Sequence, residues 1–435
     1  MLPNATRAFE WECPLPRFYR MNQEFPRPRV PDVAEAVTAA MDRLGNAATL
    51  GAGRRVAITA GSRGINQIAR VLATVVDRVR AYGGEPFLVP AMGSHGAATA
   101  AGQLALLSGL GITEKTVKAP IIASMDTVQI GELESGMPVY MDRHAAEAEA
   151  IVIVNRVKPH TDFSGDWESG LAKMTAIGLG KQRGADTIHR YGVAGLRDWM
   201  PEAARLIVQR TPVAFGLAII ENAYDEIAAI TAVPSEQIAG PAEAELLTMA
   251  RSLMPRLPFN EIDVLIVDEL GKNISGAGMD SKILGRMKVH GISELDFPNV
   301  RTIVVLGLTP ESHGNAVGIG LADVTTQRLV QEVDFEAVYI NALTSGITGV
   351  QRAALPVVAP SDRAAILAGL RVCGRHDPEN ARVVRIKNTL ELGTVDVSEC
   401  LLRTGTAQTV LQPASSPFEL RFGPDGQIWP FGAPL

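Results

Sequence analysis

The chain has 435 residues, which is enough for two hydrophobic cores rather than one. Hydrophobic residues make up 46% and charged residues 20%, the balance of a globular protein and not of a disordered one. The net charge is −6 with both signs interleaved, so no basic stripe offers itself to nucleic acid. Cys13, Cys373 and Cys400 form no CxxC pair, which argues against a Cys-rich zinc site or an iron–sulfur cluster and fits a reducing compartment. The N-terminus shows no basic-then-apolar signal pattern, and no run approaches the ~20 apolar residues of a membrane span. A cytoplasmic address and no membrane partner are expected.

In chain order, VAITA (Val56 to Ala60) reads as a buried strand and GSRG (Gly61 to Gly64) as a turn. A helix is predicted from Ile65 to Tyr82, with Ile68, Val71, Leu72, Val75, Val76 and Val79 at helical spacing. PFLVPA (Pro86 to Ala91) is the next strand, followed by GSHG (Gly93 to Gly96) and an alanine-rich helix through Leu107. AIVIVNRV (Ala150 to Val157) ends in KPH at His160. Strands alternating with helices imply a largely parallel sheet, whose exit loops would open on one edge. Phe215 to Val233 reads as two strands around a turn near Asn222 to Asp225, and Pro241 to Leu253 as a helix. MPRLPF (Met254 to Phe259) looks like a domain junction. A second series follows at Ile262 to Leu270, Arg301 to Leu308 and Ala337 to Leu343. The expected division is an α/β domain over residues 1–257 and another over 258–400. The tail, 401–435, has no assigned fold and is a candidate to pack back on the first domain.

Four of the seven histidines fall in telling places. His95 sits in the GSHG turn, His160 ends a strand, His189 closes SGLAKMTAIGLGKQRGADTIH, and His313 lies in SHGN. A single loop histidine is ordinarily a solvated or capping side chain. Four in glycine-flanked strand exits point instead to a site that a ligand approaches closely. Lys173 stands in a small, apolar stretch, where desolvation would lower its pKa and free its amine for covalent bonding. The alternative is a lysine that snorkels out to water.

Taken together, Arg63 in GSRG, His95 in GSHG, His160 in KPH, Lys173 in GLAK and His189 in DTIH resemble the nickel-pincer lactate racemase superfamily. The resemblance runs over roughly residues 55–195. It implies two α/β domains with largely parallel sheets and the active site in the cleft between them. It also implies a nickel-pincer nucleotide (pyridinium-3,5-bisthiocarboxylic acid mononucleotide) joined to Lys173, with Ni(II) completed by His189. His95 and His160 are then the catalytic pair, and Arg63 binds the carboxylate of a small anionic hydroxy acid or sugar acid. Enzymes that build the cofactor are implied partners. The second domain matches only around GKNISGAGMD (Gly271 to Asp280), where Lys272 aligns with the start of the family's substrate clamp and Lys282 is the candidate for its distal lysine. His313 is the further candidate substrate contact. Ala60 stands where the family has an aspartate. Kept chemistry with a rewritten clamp implies a racemase or epimerase of a 2-hydroxy acid other than lactate.

The chemistry is coherent on its own terms. Inverting a hydroxyl-bearing carbon needs a base near that hydroxyl on each face, and an acceptor that no side chain provides. Two other readings stand beside the isomerase: a noncatalytic ligand-binding homologue, and a nucleotide-dependent oxidoreductase without the pincer. Against the last, GSRGIN and GIGLAD (Gly318 to Asp323) lack the GxGxxG spacing. The oligomeric state is left open by the sequence.

Overall fold

The computed structural model describes residues 6–62 and 64–434. The chain divides into two compact units. One is Pro26–Met254, and the other joins the residues up to Phe25 with those from Pro255 onward. Strand β1 (Phe18–Glu24) therefore precedes the first unit in sequence but belongs to the second.

The continuous unit holds β2 (Arg55–Ala60), β3 (Glu85–Pro90), β4 (Thr127–Glu132), β5 (Pro138–Asp142), β6 (Ala150–Arg156), β7 (Val213–Glu221) and β8 (Ile227–Pro234). Five of them form a sheet ordered β3-β2-β6-β7-β8, parallel except for the last, while β4 and β5 pair as a hairpin. β2 is buried on both faces, as a parallel strand between two helical layers must be. Val56 and Ile58 face one core cluster and Ala57 the other. The predicted helix forms over Ile68–Ala81 and buries all six of the residues read at helical spacing. Each such side chain contributes roughly 1.5–3 kcal/mol of burial.

The second unit holds β9 (Glu261–Leu270), β10 (Asn299–Leu308), β11 (Val324–Thr326), β12 (Val357–Ala359), β13 (Val383–Ile386), β14 (Thr394–Ser398) and β15 (Val410–Pro413). Together with β1 they form an eight-stranded sheet ordered β12-β11-β10-β9-β13-β14-β1-β15. β12 through β13 are parallel, and β14, β1 and β15 are antiparallel.

Three expectations are corrected. Ala337 to Leu343 is not a strand but part of the Phe335–Thr344 helix, whose N-cap Asp334 accepts from the Ala337 amide at 3.1 Å. The tail does not pack on the first domain: β15 pairs with β1, and Phe418 bridges to Phe18. The first 25 residues likewise leave the domain drawn over 1–257, because β1 is zipped between β14 and β15.

Candidate active site

Strands β2, β3 and β6 run parallel, so their exit turns reach the same edge of the five-stranded sheet. Arg63 lies outside the described residues. Its neighbour Ser62 spans to the next turn, with Oγ 2.5 Å from His95 Nδ1. A Cβ on Gly61 would stand 3.0 Å from Met174 Cε, so this turn lies against the segment that carries Lys173.

The His95 turn is fitted closely to its surroundings. Gly93 has φ +56°, and its amide donates to Gly178 O at 3.2 Å. A side chain there would press on Ile177 and Ala185, which explains the glycine. Buried Gln103 donates from Nε2 to Gly93 O at 3.1 Å and to His95 O at 3.4 Å. Its Oε1 accepts from Lys181 Nζ at 2.9 Å, and the same amine donates to Pro90 O at 2.6 Å. Lys181 is 0% exposed, and Asp142 Oδ2 lies 3.4 Å away, an ion-pair distance without a well-aligned hydrogen bond. Burial pushes the Asp142 carboxyl up and the Lys181 amine down, each shift opposed by the partner's charge. Lys181 thus ties the His95 turn to the Lys181–His189 helix.

His160 is held by a loop closed at its neck. The backbones of Lys158 and Ser169 exchange hydrogen bonds of 2.8 and 3.1 Å. Inside, the buried Glu168 carboxylate accepts from the amides of His160 and Gly165 and from Arg251. The Asp162 amide donates to His160 Nδ1 at 3.1 Å. A neutral His160 therefore carries its proton on Nε2.

Lys173 ends the short helix Leu171–Lys173. The buried Glu243 carboxylate sits at the start of that helix, accepting from the Ala172 amide at 3.0 Å and from the Ala239 amide at 2.8 Å. A Cβ on Gly170 would run into Glu243 Oε1. Beyond Lys173 the helix widens into a π turn over Met174–Gly178, a distortion frequent at functional sites. Lys173 is half-buried.

His189 closes its helix with Nδ1 2.6 Å from Ala185 O. The ring donates there, which leaves Nε2 of the neutral form with a lone pair. Part of the residue's surface is exposed, yet the protein packed around the ring holds its pKa below the ordinary histidine value. Burial dominates, the Ala185 hydrogen bond opposes it, and the Lys173 charge lowers it further. Lys173 and Asp162 both act on this ring, so the His160 loop, the Lys173 turn and the His189 helix are electrostatic neighbours. Among the described residues, no three His, Cys, Asp or Glu side chains converge into an all-protein metal site.

Lys272, Lys282 and His313 belong to the other unit, at the carboxyl ends of β9 and β10. The Lys272 amide donates to Ser312 Oγ at 2.9 Å, which joins the two exit loops, and its Nζ donates to Gly276 O at 2.8 Å. Asp280 caps the helix carrying Lys282 and accepts from the Lys282 amide at 3.0 Å. His313 is exposed at φ +47°.

Sequence reasoning missed Ser62, Gln103, Glu168, Lys181 and Glu243. Only Lys181 carried a signal, being a second lysine in the same small-residue stretch as Lys173.

Residues 9–196 match the family model described as the lactate racemase N-terminal domain. Over those residues the chain carries a lactate racemase N-terminal domain. The strand-exit turns, Lys173 and His189 all lie inside the matched lactate racemase region. No curated protein matches the sequence. Among the similar solved structures are the following two. One, a protein of Thermotoga maritima, is 15% identical with a TM-score of 0.46, the match covering 65% of this chain and 72% of that one. The other is the lactate racemase apoprotein of Thermoanaerobacterium thermosaccharolyticum, 13% identical with a TM-score of 0.42 over 78% of this chain and 98% of that one.

Proposed function

We propose that this chain is an isomerase that inverts the hydroxyl-bearing carbon of a small 2-hydroxy acid or sugar acid, using a nickel-pincer nucleotide tethered to Lys173. The observation that carries this reading is the His189 ring. Its Nδ1 is committed to Ala185 O at 2.6 Å, its pKa is held low, and its neighbour is Lys173. A neutral imidazole oriented through one nitrogen is ready to ligate a metal through the other. These residues fit the group, since Lys173 would tether it and His189 would add one nitrogen donor to those the group brings. When bound, it supplies the reversible two-electron acceptor that the side chains lack.

The two histidines divide the proton work. Neutral His160 presents an Nε2–H donor, because Nδ1 is taken by the Asp162 amide. His95 has Nδ1 on the Ser62 hydroxyl, and with Ser62 accepting, its Nε2 is a base. His95 takes the hydroxyl proton of one antipode and becomes an imidazolium, His160 returns a proton to the other from its own imidazolium form, and the reverse reaction starts with the extra proton on the opposite ring. Arg63 is proposed for the substrate carboxylate, and Lys272, Lys282 and His313 are proposed to set substrate choice.

Intact mass and nickel analysis of protein made alongside the cofactor-building enzymes test this reading. The expected result is an added nucleotide mass that Lys173→Ala abolishes. His189→Ala should keep the adduct and lose nickel. An adduct surviving in Lys173→Ala, or none in the loaded wild type, overturns the proposal. A panel of 2-hydroxy and sugar acids should show deuterium exchange at carbon 2 with a substrate other than lactate. Lactate as the best substrate by a wide margin would contradict the rewritten clamp.

A further inference from the structure

The helices Phe335–Thr344 and Gly346–Ala353 expose an unusual face. Their inward side is already used, since Val338, Ala342 and Gly349 are buried in their own unit. A surface helix ordinarily turns polar residues outward. Here the outward side carries Tyr339, Ile340, Leu343, Ile347 and Val350, with Leu343 74% and Ile340 62% exposed. The patch continues through Leu355 to Val357 on β12, the edge strand of the eight-stranded sheet. Between Phe335 and Val357 the sequence has two charged residues, Glu336 and Arg352, and Arg352 is buried with its guanidinium on Met287 O.

We propose that this face is the interface of a homodimer, with a second copy of the chain docking helix hairpin against helix hairpin. Size supports that occupant. The exposed apolar side chains amount to roughly 700 Å², above the few hundred Å² of ordinary monomer patches and close to the ~800 Å² per partner of a stable complex. Charge supports it too. A two-fold contact sets each residue's surroundings against the same patch, and a face with almost no charge meets its own copy without repulsion. Nothing in the patch provides the charges that would select a differently charged partner. The β12 edge, whose outer backbone groups have no neighbouring strand in this sheet, is covered by the same contact.

Sedimentation velocity and light scattering on the full-length chain test the proposal. The expected particle has twice the 46.3 kDa chain mass. Leu343→Glu combined with Ile347→Glu should weaken the dimer by about 100-fold or more, as loss of a central apolar anchor does, while circular dichroism stays unchanged. Val372→Glu changes an equally prominent exposed residue outside the hairpin and should remain dimeric. A wild-type chain that stays monomeric at 100-micromolar concentration (about that order, well above a stable dimer's dissociation constant) overturns the proposal. So does a dimer that persists in the folded double variant, or one that Val372→Glu disrupts equally.

Discussion

Replacing either His95 or His160 with alanine is expected to lower isomerisation by about 100-fold or more, the usual scale for a general acid or base. The expectation follows from their complementary settings. His160 in its neutral form accepts at Nδ1 from the Asp162 amide, whereas His95 Nδ1 lies 2.5 Å from the Ser62 hydroxyl, which can donate or accept. Each turnover begins with one ring neutral and the other protonated and ends with the two exchanged, so each antipode needs both. The equilibrium constant between antipodes is unaffected by the enzyme, so kcat/KM must fall by the same factor in both directions in each variant. Steady-state rates from both antipodes, with the adduct on Lys173 verified by mass, provide the check. Normal turnover in both variants removes the paired-histidine mechanism. Loss in only one assigns the chain a single-configuration reaction.

A second large effect concerns stability. Asp142→Ala should destabilise the unit holding it by about 3–5 kcal/mol, because it leaves the Lys181 charge buried without its counter-ion. In a unit of this size that is a melting shift of roughly 10 °C. Lys181→Met together with Asp142→Ala should recover much of the loss, since an apolar replacement removes both charges at once. The pH dependence follows from the directions of the two shifts. Asp142, raised by burial, favours folding below the ordinary carboxylate range, and that contribution is lost as pH rises through its raised value. Lys181, lowered by burial, favours folding above the ordinary lysine range, and its contribution is lost as pH falls through its lowered value. Near neutrality the charged pair is held by mutual attraction and by Gln103 and Pro90, not by burial. Thermal denaturation of the two single variants and the double variant measures the coupling. Additive losses would show that the two charges do not depend on each other.

Local pattern reading succeeded where one element carries its own signal. The Ile68–Ala81 helix announced itself by six apolar residues at helical spacing, and two of the three strand-exit turns by glycine after an apolar run. Parallel pairing then follows from the alternation of strand and helix, and with it the common edge that holds Ser62, His95 and His160. Signals that depend on distant partners were not legible. Nothing within FYRMNQE indicates that β1 pairs with Thr394–Ser398, and the polar tail gives no hint that Phe418 meets Phe18. Ala337 to Leu343 is apolar enough to pass for a strand, and so short a run, interrupted only by Asn341, has no period to separate strand from helix. Its N-cap at Asp334 and the helix-favouring Ala337, Ala342 and Leu343 decide the matter. Glu243 acts by capping groups brought close only by the completed fold, so it does not stand out in its own neighbourhood.

The placement of β1 gives biosynthesis an order. The strand leaves the ribosome early, but its two neighbours, β14 and β15, are encoded more than 350 residues later. At ordinary elongation rates of ~5–20 residues per second, it waits on the order of half a minute without a partner. Meanwhile Pro26–Met254 emerges as one uninterrupted stretch holding every strand of its own sheet. That stretch is able to fold during translation, whereas the eight-stranded sheet closes only once its most distant segments have both been made. A nascent chain stalled midway thus exposes a strand edge that the finished protein conceals.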